Sequence, residues 1–259
     1  MTSVFAQLTP VQAALLIGVR IRALDFRLRD PILADAVSAQ LAESIGEEVT
    51  RLTIPLSVVH LHAVRAKTLD DVVRRFVAAH PDAVVLDLGS GLDPRRHRCD
   101  PPPGVDWYDI DFPEVIRLRR QYLPGPSHLV GADLASSGWL DGIPADRPTV
   151  IVSDGLMALL PGETFKALAR ALTSHFRSGE FAFNAYTPLA LRNGQRVRGP
   201  LSLPIAGEGM VDPHEPENWG AGLSLIEELL LARAPEVAHY TQPLRTIARL
   251  SALSTRDAF

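Results

Sequence analysis

The sequence is poor in cysteine and in aromatic residues, and it has no long apolar run. Of its 259 residues, one is cysteine, Cys99, and 6% are aromatic. One cysteine excludes an intramolecular disulfide framework, and without a histidine partner motif we interpret it as incidental. Because no stretch reaches the roughly 18 apolar residues of a membrane span, and the N-terminus lacks a signal-peptide pattern, we expect a cytoplasmic protein with no membrane partner.

The sequence also lacks a strong charge bias. Lys and Arg number 26 against 30 Asp and Glu, for a formal net charge of -4. Since no long basic block interrupts this balance, nucleic acid is not expected as a partner. The composition, 46% hydrophobic and 22% charged, is typical of a folded globular protein. A chain of this length often forms one α/β domain with a lid or an insertion.

Residues 1–80 have the periodicity of helices. Apolar residues recur at helical spacing over Pro10 to Phe26, Pro31 to Ile45 and Leu56 to Ala79, and few runs are typical of strands. We predict that this part of the chain forms an N-terminal helical lid.

From residue 81 onward, short apolar runs alternate with helical stretches. The predicted strands are Ala83 to Leu88, Val105 to Ile110, His128 to Gly131, Thr149 to Ser153 and Phe181 to Ala185. Helical stretches between them include Glu114 to Tyr122 and Gly162 to His175. This alternation predicts a doubly wound α/β fold, with a mostly parallel, Rossmann-like sheet covered on both faces.

The last part of the sequence begins with a long irregular segment. Residues 186–218 are rich in Gly, Pro and polar residues and have no clear period, which predicts an insertion over the carboxyl edge of the sheet. Helical spacing resumes over Trp219 to Arg233, and Glu236 to Tyr240 and Arg245 to Leu250 are interpreted as closing strands. Residues 81–259 are therefore expected to form the Rossmann-like core, interrupted by this insertion.

A glycine turn follows the first predicted strand. Asp87 lies near the end of that strand, and Gly89 and Gly91 come directly after it. Glycine permits a positive φ and lets a ligand approach the backbone, so the pattern predicts a cofactor across the end of the strand. A tight turn without a ligand has the same pattern, and that alternative stays open.

The residues around the turn narrow the choice of cofactor. A dinucleotide fingerprint requires a third glycine where this sequence has Pro94, and the Gly-Lys-Ser/Thr ending of a phosphate loop is missing. Asp87, just ahead of the glycines, disfavours a polyanion and suits a cationic ligand. S-adenosylmethionine has no phosphate and carries an amino group and a sulfonium. It is the cofactor that these residues favour.

Acidic residues also end the next three predicted strands. Asp111 is the candidate for the ribose hydroxyls, because a carboxylate accepts both hydrogen bonds; Asp109 is the alternative, and either residue can instead cap a helix. At the third strand Asp133 can accept the adenine amino group while Leu134 covers the ring, although a loop cap explains Asp133 equally well. Asp154 ends the fourth strand, at the edge where ligands of α/β sheets lie.

Two segments together resemble a known protein family. Gly91 to Arg95 is similar to the sequence Gly-Leu-Asp-Thr-Arg, and Trp107 to Ile116 is similar to a second-strand signature. Both belong to the leucine carboxyl methyltransferase-like group of class I S-adenosylmethionine-dependent methyltransferases, in its tetracenomycin-type branch of polyketide O-methyltransferases. Further similarities occur at residues 30–31, 65–70, 154–161 and 212–220.

The resemblance implies roles for individual residues. Arg65 matches a lid arginine that holds the methionine carboxylate of the cofactor, although a solvated helix-face arginine also fits. The other cofactor-binding residues implied are Asp87, Gly89, Gly91, Asp111, Asp133, Leu134 and Asp154. Two departures are visible: Pro94 replaces a threonine, and Asp154 replaces a glutamate. Arg20 and Arg22 compete for one further cationic position in the lid.

The resemblance further implies an O-methyltransferase whose partner is a small-molecule acceptor, a natural product such as a polyketide, methylated preferably at a carboxylate. A carboxylate is ionised near neutral pH and needs no general base, and we assign no catalytic residue and no metal site. A phenol or nitrogen acceptor would require a base, for which His60, His62 and His214 are the candidates. A non-catalytic, S-adenosylmethionine-binding regulatory protein is the alternative from another class, and the oligomeric state is not indicated.

We place the acceptor pocket between the helical lid and the insertion. Tyr186, Leu201, Leu203 and Met210 are candidates for an apolar wall of that pocket. Ordinary packing would explain the same residues.

Overall fold

Four helices precede the sheet in the computed structural model, which describes residues 9–199 and 201–239. They are α1 (Pro10–Phe26), α2 (Ala36–Ile45), α3 (Glu47–Thr50) and α4 (Leu56–Ala79). The predicted bounds of α1 and α4 are confirmed. The second predicted helix starts too early, at Pro31, because the Asp35 carboxylate accepts a hydrogen bond from the Ser38 backbone N–H and caps α2 there.

Five parallel strands form one sheet in the order β3-β2-β1-β4-β5. They are β1 (Val84–Leu88), β2 (Asp106–Asp111), β3 (His128–Gly131), β4 (Thr149–Ser153) and β5 (Gly179–Phe183). The predicted doubly wound α/β fold is confirmed. The strand order reverses between β1 and β4, and ligands of such sheets bind beyond the carboxyl ends of the strands at this point.

Five helices follow or connect the strands. They are α5 (Arg95–Cys99), α6 (Pro113–Tyr122), α7 (Leu156–Leu159), α8 (Gly162–His175) and α9 (Pro188–Gly194). The predicted bounds of α8 are confirmed, and α6 starts one residue before its predicted start, with Pro113 at its first position. The last of these helices lies inside the predicted insertion, which is otherwise irregular apart from a short 3-10 helix, Glu215–Asn218.

The two faces of the sheet pack against different helices. Leu86 and Leu88 lie in one apolar cluster with Phe165 of α8, whereas Val85 lies in another cluster with Phe76 of α4. Because side chains alternate along a strand, Asp87 points to the same face as Val85. The C-terminal half of α4 thus covers the sheet, and its N-terminal half extends toward the carboxyl edge. The division into a lid of residues 1–80 and a core of residues 81–259 stays a prediction.

The C-terminal predictions are partly wrong. Trp219 to Arg233 is not an α-helix, since residues 222–230 have no helical turn and Leu231–Arg233 is a short 3-10 helix. Their leucines pack into three separate clusters, Leu225 with the α8 face, Leu229 with the α4 face and Leu231 beside Val64. One helix face would bring these side chains together instead of distributing them.

The predicted closing strands have different outcomes. Instead of a strand at Glu236 to Tyr240, Pro235–His239 forms a 3-10 helix, in which Glu236 pairs with Lys67 at 3.3 Å. Tyr240 and the second closing strand, Arg245 to Leu250, lie outside the described residues. None of the helices in the described ranges combines the length and apolar character that crossing a membrane requires.

Candidate active site

The glycine turn after β1 has the backbone conformation that glycine allows. Gly89 and Gly91 have φ angles of 66° and 50°, in the left-handed region that other residues rarely adopt. The backbone N–H groups of Gly89 and Ser90 donate to the Ile110 carbonyl at 2.9 and 3.2 Å. The N–H of Gly91 donates to Oδ2 of Asp111 at 2.7 Å. The turn is therefore fastened to the end of β2.

Asp111 and Asp109 have distinct surroundings at the end of β2. Asp111 is half-buried, and its Oδ1 accepts the Phe112 N–H at 2.7 Å. Burial raises the pKa of this carboxyl, although its two backbone hydrogen bonds oppose that shift. Each carboxylate oxygen keeps a second lone pair for a ligand. Asp109 is 1% exposed and is paired internally, 2.8 Å from Nη2 of Arg119. Of the two acids, Asp111 is the one available to a ligand.

Asp87 is buried at the carboxyl end of β1 without a close partner on one oxygen. Its Oδ2 makes no hydrogen bond within the described residues, and Nε of Arg95 lies 3.8 Å away. Burial raises the pKa of Asp87 to about 7, although Arg95 opposes that shift. A buried carboxylate in this state is suited to a cationic ligand group.

Arg95, fully buried at the start of α5, joins several carboxylates. Its guanidinium lies 3.3 Å from Asp70 and from Asp154, 3.6 Å from Asp93 and 3.8 Å from Asp87. Burial lowers the pKa of Arg95, but the carboxylates, Asp87 foremost, outweigh it and raise the pKa above its usual value. Sequence reasoning quoted Arg95 within a motif but gave it no role.

Arg98 extends this network from α5 to the N-terminal helices. It lies 2.6 Å from Asp93, 2.7 Å from Asp70 and 2.9 Å from Asp35. Burial would raise the pKa of Asp93, but the neighbouring arginines hold it well below its usual range. The network therefore joins the residue after the glycine turn to α4 and to the N-cap of α2.

Arg20 and Arg22, which compete for a further cationic position, have different contacts. Arg22 is buried, donates to the Leu92 carbonyl at 3.0 Å and lies 3.4 Å from Asp93. Arg20 donates instead to the Leu52 carbonyl at 3.0 Å. Only Arg22 of these two therefore borders the glycine turn.

Arg65 and Asp154, predicted on separate segments, are brought together. Nε of Arg65 lies 2.5 Å from Oδ1 of Asp154, and Nη1 donates to the Tyr186 hydroxyl at 2.6 Å. Burial would raise the pKa of Asp154, but Arg65 lowers it. These contacts place the N-terminal half of α4 against the ends of β4 and β5, and Tyr186 belongs to this polar cluster instead of an apolar wall.

The other candidates for the apolar wall have separate surroundings. Met210 is buried in the main core on the α8 face. Leu201 packs beside the cluster of Ile21, Ile54 and Val59. Met210 therefore contributes to the core, and Leu201 packs against residues of α1 and α4.

The three histidines considered as bases differ in environment. His62 accepts a hydrogen bond at Nδ1 from Nη2 of Arg65 at 3.0 Å, because a guanidinium can only donate. Burial, assisted by Arg65, lowers the pKa of His62 to about 3. His60 is buried, and His214 is exposed with Nδ1 3.2 Å from Glu217. His62 is thus a neutral imidazole whose Nδ1 is already occupied.

Asp133 and Leu134 follow β3, away from the network. Asp133 is exposed, and its Oδ1 accepts the Ala135 N–H at 2.9 Å, which is the loop-capping contact weighed above. Leu134 is buried in the main core. Their contact with adenine stays a prediction.

Buried polar atoms without hydrogen bonds collect at the carboxyl edge. Within the described residues they include Oδ2 of Asp87, Oγ of Ser90, Oγ of Ser153 and Nδ2 of Asn184. These atoms belong to the ends of β1, β4 and β5 or to the segments directly after them. Buried polar groups normally have partners, so this edge has the character of a ligand site. The signal for Asn184 was a single polar residue inside an apolar run.

A large cleft lies elsewhere, beside the outer strand β5. Its volume is about 720 Å³, and it extends from Thr149 and Gly179, where two strands begin, to Leu223 and Ile226. It is distant from the glycine turn in the topology of the sheet. In the described ranges, no group of three His, Cys, Asp or Glu side chains is arranged to hold a metal ion.

Sequence comparisons match this chain to a protein family and to individual methyltransferases. The profile of a protein family described as leucine carboxyl methyltransferase matches residues 16–173. The tetracenomycin polyketide synthesis O-methyltransferase TcmP of Streptomyces glaucescens is 34% identical over 90% of this chain and 87% of its own length. An S-adenosyl-L-methionine-dependent methyltransferase of Gibberella zeae, dpfgK, is 33% identical over 86% of this chain and 83% of its own.

Solved structures show the same fold at low sequence identity. A Thermobifida fusca protein described as a methyltransferase superposes with a TM-score of 0.56 at 18% identity, covering 93% of this chain and 92% of its own. An O-methyltransferase family protein of Burkholderia thailandensis gives a TM-score of 0.51 at 13% identity, covering 84% and 68% of the two chains.

Proposed function

Because this chain belongs to the leucine carboxyl methyltransferase family, we propose that it methylates a carboxylate of a small-molecule natural product such as a polyketide. It is an S-adenosylmethionine-dependent methyltransferase of the type that includes TcmP. The polyketide class is supported by TcmP, which acts in polyketide synthesis and is similar to this chain over most of its length.

The carboxyl edge fits the cofactor's functional groups. The unpartnered Oδ2 of Asp87 suits its ammonium group, and the second lone pairs of Asp111 suit two ribose hydroxyls. Gly89 and Gly91 leave the turn open to a ligand because they have no Cβ. Within this proposal Asp133 and Leu134 contact the adenine ring.

Arg65 and Asp154 complete the proposed cofactor site. Arg65 would bind the cofactor carboxylate from the lid, and the contacts with Asp154 and Tyr186 hold its guanidinium at the carboxyl edge. Asp154 is shorter by one methylene than the glutamate of the family. The Asp154 carboxylate contacts Arg65 and Arg95, so its role in this proposal is to orient Arg65.

Methyl transfer is an in-line displacement, in which the enzyme positions two reactants and excludes water. When bound, the cofactor supplies an electrophilic methyl group on sulfur. The residues of this chain bind and orient the reactants at the carboxyl edge, beneath the N-terminal half of α4. None of these tasks requires a nucleophilic side chain.

The state of His62 is the observation that favours a carboxylate acceptor. Its Nδ1 is occupied by Arg65, and its pKa is lowered to about 3 by burial and by Arg65, so it is a poor general base. The neighbouring Asp154 also has a lowered pKa. A carboxylate acceptor needs no base, because it is already ionised near neutral pH, whereas a phenol would need one.

A calorimetric titration with S-adenosylhomocysteine tests the cofactor site. Asp111→Ala should weaken binding about tenfold or more, as expected for loss of a charged hydrogen-bond partner. Asp106→Ala, at the other end of the same strand, is the matched control and should leave the affinity within about twofold. A folded parent that does not bind S-adenosylhomocysteine would refute the proposed site.

The acceptor is tested by methyl transfer to paired carboxylate and phenol substrates of one scaffold. With a carboxylate and saturating S-adenosylmethionine, we expect a rate that varies little between about pH 6 and about pH 8.5, because the acceptor stays ionised and the bound cofactor keeps Asp87 ionised. Turnover of phenols alone, with a rate that follows one ionisation of the enzyme, would establish the base-dependent alternative and contradict the proposal.

A further inference from the structure

We propose that Arg119, with Asp109 as its counter-ion, is a positioning residue that holds the glycine turn in its cofactor-binding conformation. Arg119 lies in the last turn of α6, behind the turn and outside the set of residues expected to touch the cofactor. This inference rests on the proposed cofactor role of the turn.

One guanidinium nitrogen serves most of the turn. Nη1 of Arg119 lies 3.4, 3.0 and 2.9 Å from the carbonyl oxygens of Ser90, Gly91 and Asp93. The Ser90 carbonyl also accepts the Asp93 N–H at 2.9 Å. These hydrogen bonds, all within residues 90–93, leave the peptide groups of the segment little freedom to rotate.

Gly91 is held from both sides of its unusual backbone angle. Its N–H donates to Asp111 at 2.7 Å, and its carbonyl accepts from Arg119 at 3.0 Å. The φ angle of Gly91 is 50°. A glycine in a free chain adopts positive and negative φ angles about equally. Asp111 and Arg119 together therefore select this conformation of Gly91.

Asp109 is the counter-ion of the buried Arg119 guanidinium. It is needed because an unpaired buried charge is strongly destabilising. Its Oδ2 lies 2.8 Å from Nη2 of Arg119, and its Oδ1 accepts the Trp107 indole N–H at 3.1 Å. Arg119 and Asp109 are 3% and 1% exposed. Asp109 also lies beside Asp87 in the register of β1 and β2, so Arg119 neutralises a carboxylate next to the proposed ammonium site.

Arg147 provides a matched arginine at the opposite end of the strands. It donates to the carbonyls of Asp82, Ala83 and Gly104 and pairs with Asp106, the first residue of β2. Both arginines therefore bind three carbonyls and one β2 aspartate, but Arg147 lies away from the glycine turn. Arg147 is 25% exposed and Arg119 is buried, so their variants can differ in stability. Affinity is therefore compared only where every variant is folded, because a loss of stability alone leaves the affinity of the folded protein unchanged.

The experiment compares Arg119→Lys and Arg119→Met with Arg147→Lys and Arg147→Met. Thermal melting of each purified variant is followed by calorimetric titration with S-adenosylhomocysteine, at a temperature where all are folded. A lysine keeps the charge but cannot span the carbonyls as a guanidinium does. We expect both Arg119 variants to bind about tenfold more weakly or worse, with Arg119→Lys closer to the parent, and both Arg147 variants to bind within about twofold of it.

Each outcome decides the proposal. Arg119→Lys with parental affinity, or affinity losses equal to those of the Arg147 variants at equal melting temperature, would overturn it. If neither Arg119 variant folds, Asp109→Asn replaces them, since it keeps the shape and removes the counter-ion; it should also lower affinity by severalfold, and parental affinity would overturn the inference. A parent that does not bind S-adenosylhomocysteine would instead refute the proposed cofactor site.

Discussion

The two ends of the parallel sheet are built from the same residue types but in different states. At the amino end, Arg147 and Asp106 are 25% and 39% exposed, and the hydrogen bonds of Arg147 join neighbouring strand starts. At the carboxyl end, the buried Arg95 joins Asp87 and Asp154, whose side chains are 4% and 12% exposed. Arginine–aspartate pairs thus support both ends. Among the residues that the structure describes, buried polar atoms without a hydrogen-bond partner, such as Oδ2 of Asp87 and Oγ of Ser153, collect at the carboxyl end.

This difference separates structural charge from functional charge. An exposed pair contributes little and needs no ligand, whereas unpartnered buried groups are costly unless something binds them. The large cleft beside β5 lies away from this carboxyl edge. The electrostatics of the carboxyl end identify the candidate site more directly than cavity size does.

The largest expected effect on stability comes from removing Arg95. Arg95→Met leaves several buried carboxylates without their shared cation, so we expect the free energy of unfolding to fall by about 3–5 kcal/mol in urea denaturation. Arg75→Met, which removes an exposed pair with Glu227, is the control and should cost about 1 kcal/mol or less. Equal costs at the two positions would contradict the contrast between the two ends.

The pH dependence of stability should have opposite signs at the two ends. Burial raises the pKa of Asp87 to about 7, so its contribution to stability is present at low pH and is lost as the pH rises through that value. The hydrogen bond from Arg147 lowers the pKa of Asp106, so its contribution is present above the unfolded pKa and is lost as the pH falls through the lowered one.

The measurement is urea unfolding of the ligand-free parent, Asp87→Asn and Asp106→Asn across pH. Relative to Asp87→Asn, the parent should lose stability as the pH rises, by about 1.4 kcal/mol for each unit of pKa shift. Relative to Asp106→Asn, the parent should lose stability as the pH falls, and this loss should be smaller than the loss relative to Asp87→Asn. Parallel curves for all three proteins would show that neither carboxyl titrates as its surroundings require.

Alanine substitutions at two glycines should have a smaller effect on stability and should distinguish the carboxyl edge from the rest of the chain. Gly89 and Gly220 have φ angles of 66° and 69°, and an added Cβ would meet no heavy atom within 3.4 Å at either position. Substitution by alanine should therefore cost about 1–2 kcal/mol of strain at both. Only Gly89→Ala should weaken S-adenosylhomocysteine binding in calorimetry. Equal loss of affinity in the two variants would remove Gly89 from the site.

Local sequence patterns predicted much of the scaffold. The bounds of α1, α4, α8, β3 and β4 agree with the structure, because each pattern was decided by its own periodicity and by adjacent Pro, Gly or Asp residues. Residues 219–233 failed the same reasoning. Their leucines recur as on a helix, but they pack into clusters on the two faces of the sheet and beside Val64 of α4. Tertiary packing therefore decided the structure of this segment against its periodicity.

The candidate site divides in the same way. Local sequence pattern was enough to predict which strand ends have acidic residues, the glycine turn at Gly89 and Gly91, and the position of Asp111, because a strand, its turn and its last side chain are local. Folding was needed to bring Arg65 to Asp154, to place Arg22 instead of Arg20 beside the turn, and to bring Arg119 to the Gly91 carbonyl. An arginine's long side chain chooses its partners among segments distant along the chain, so its role depends on which carboxylates and carbonyls folding brings within reach.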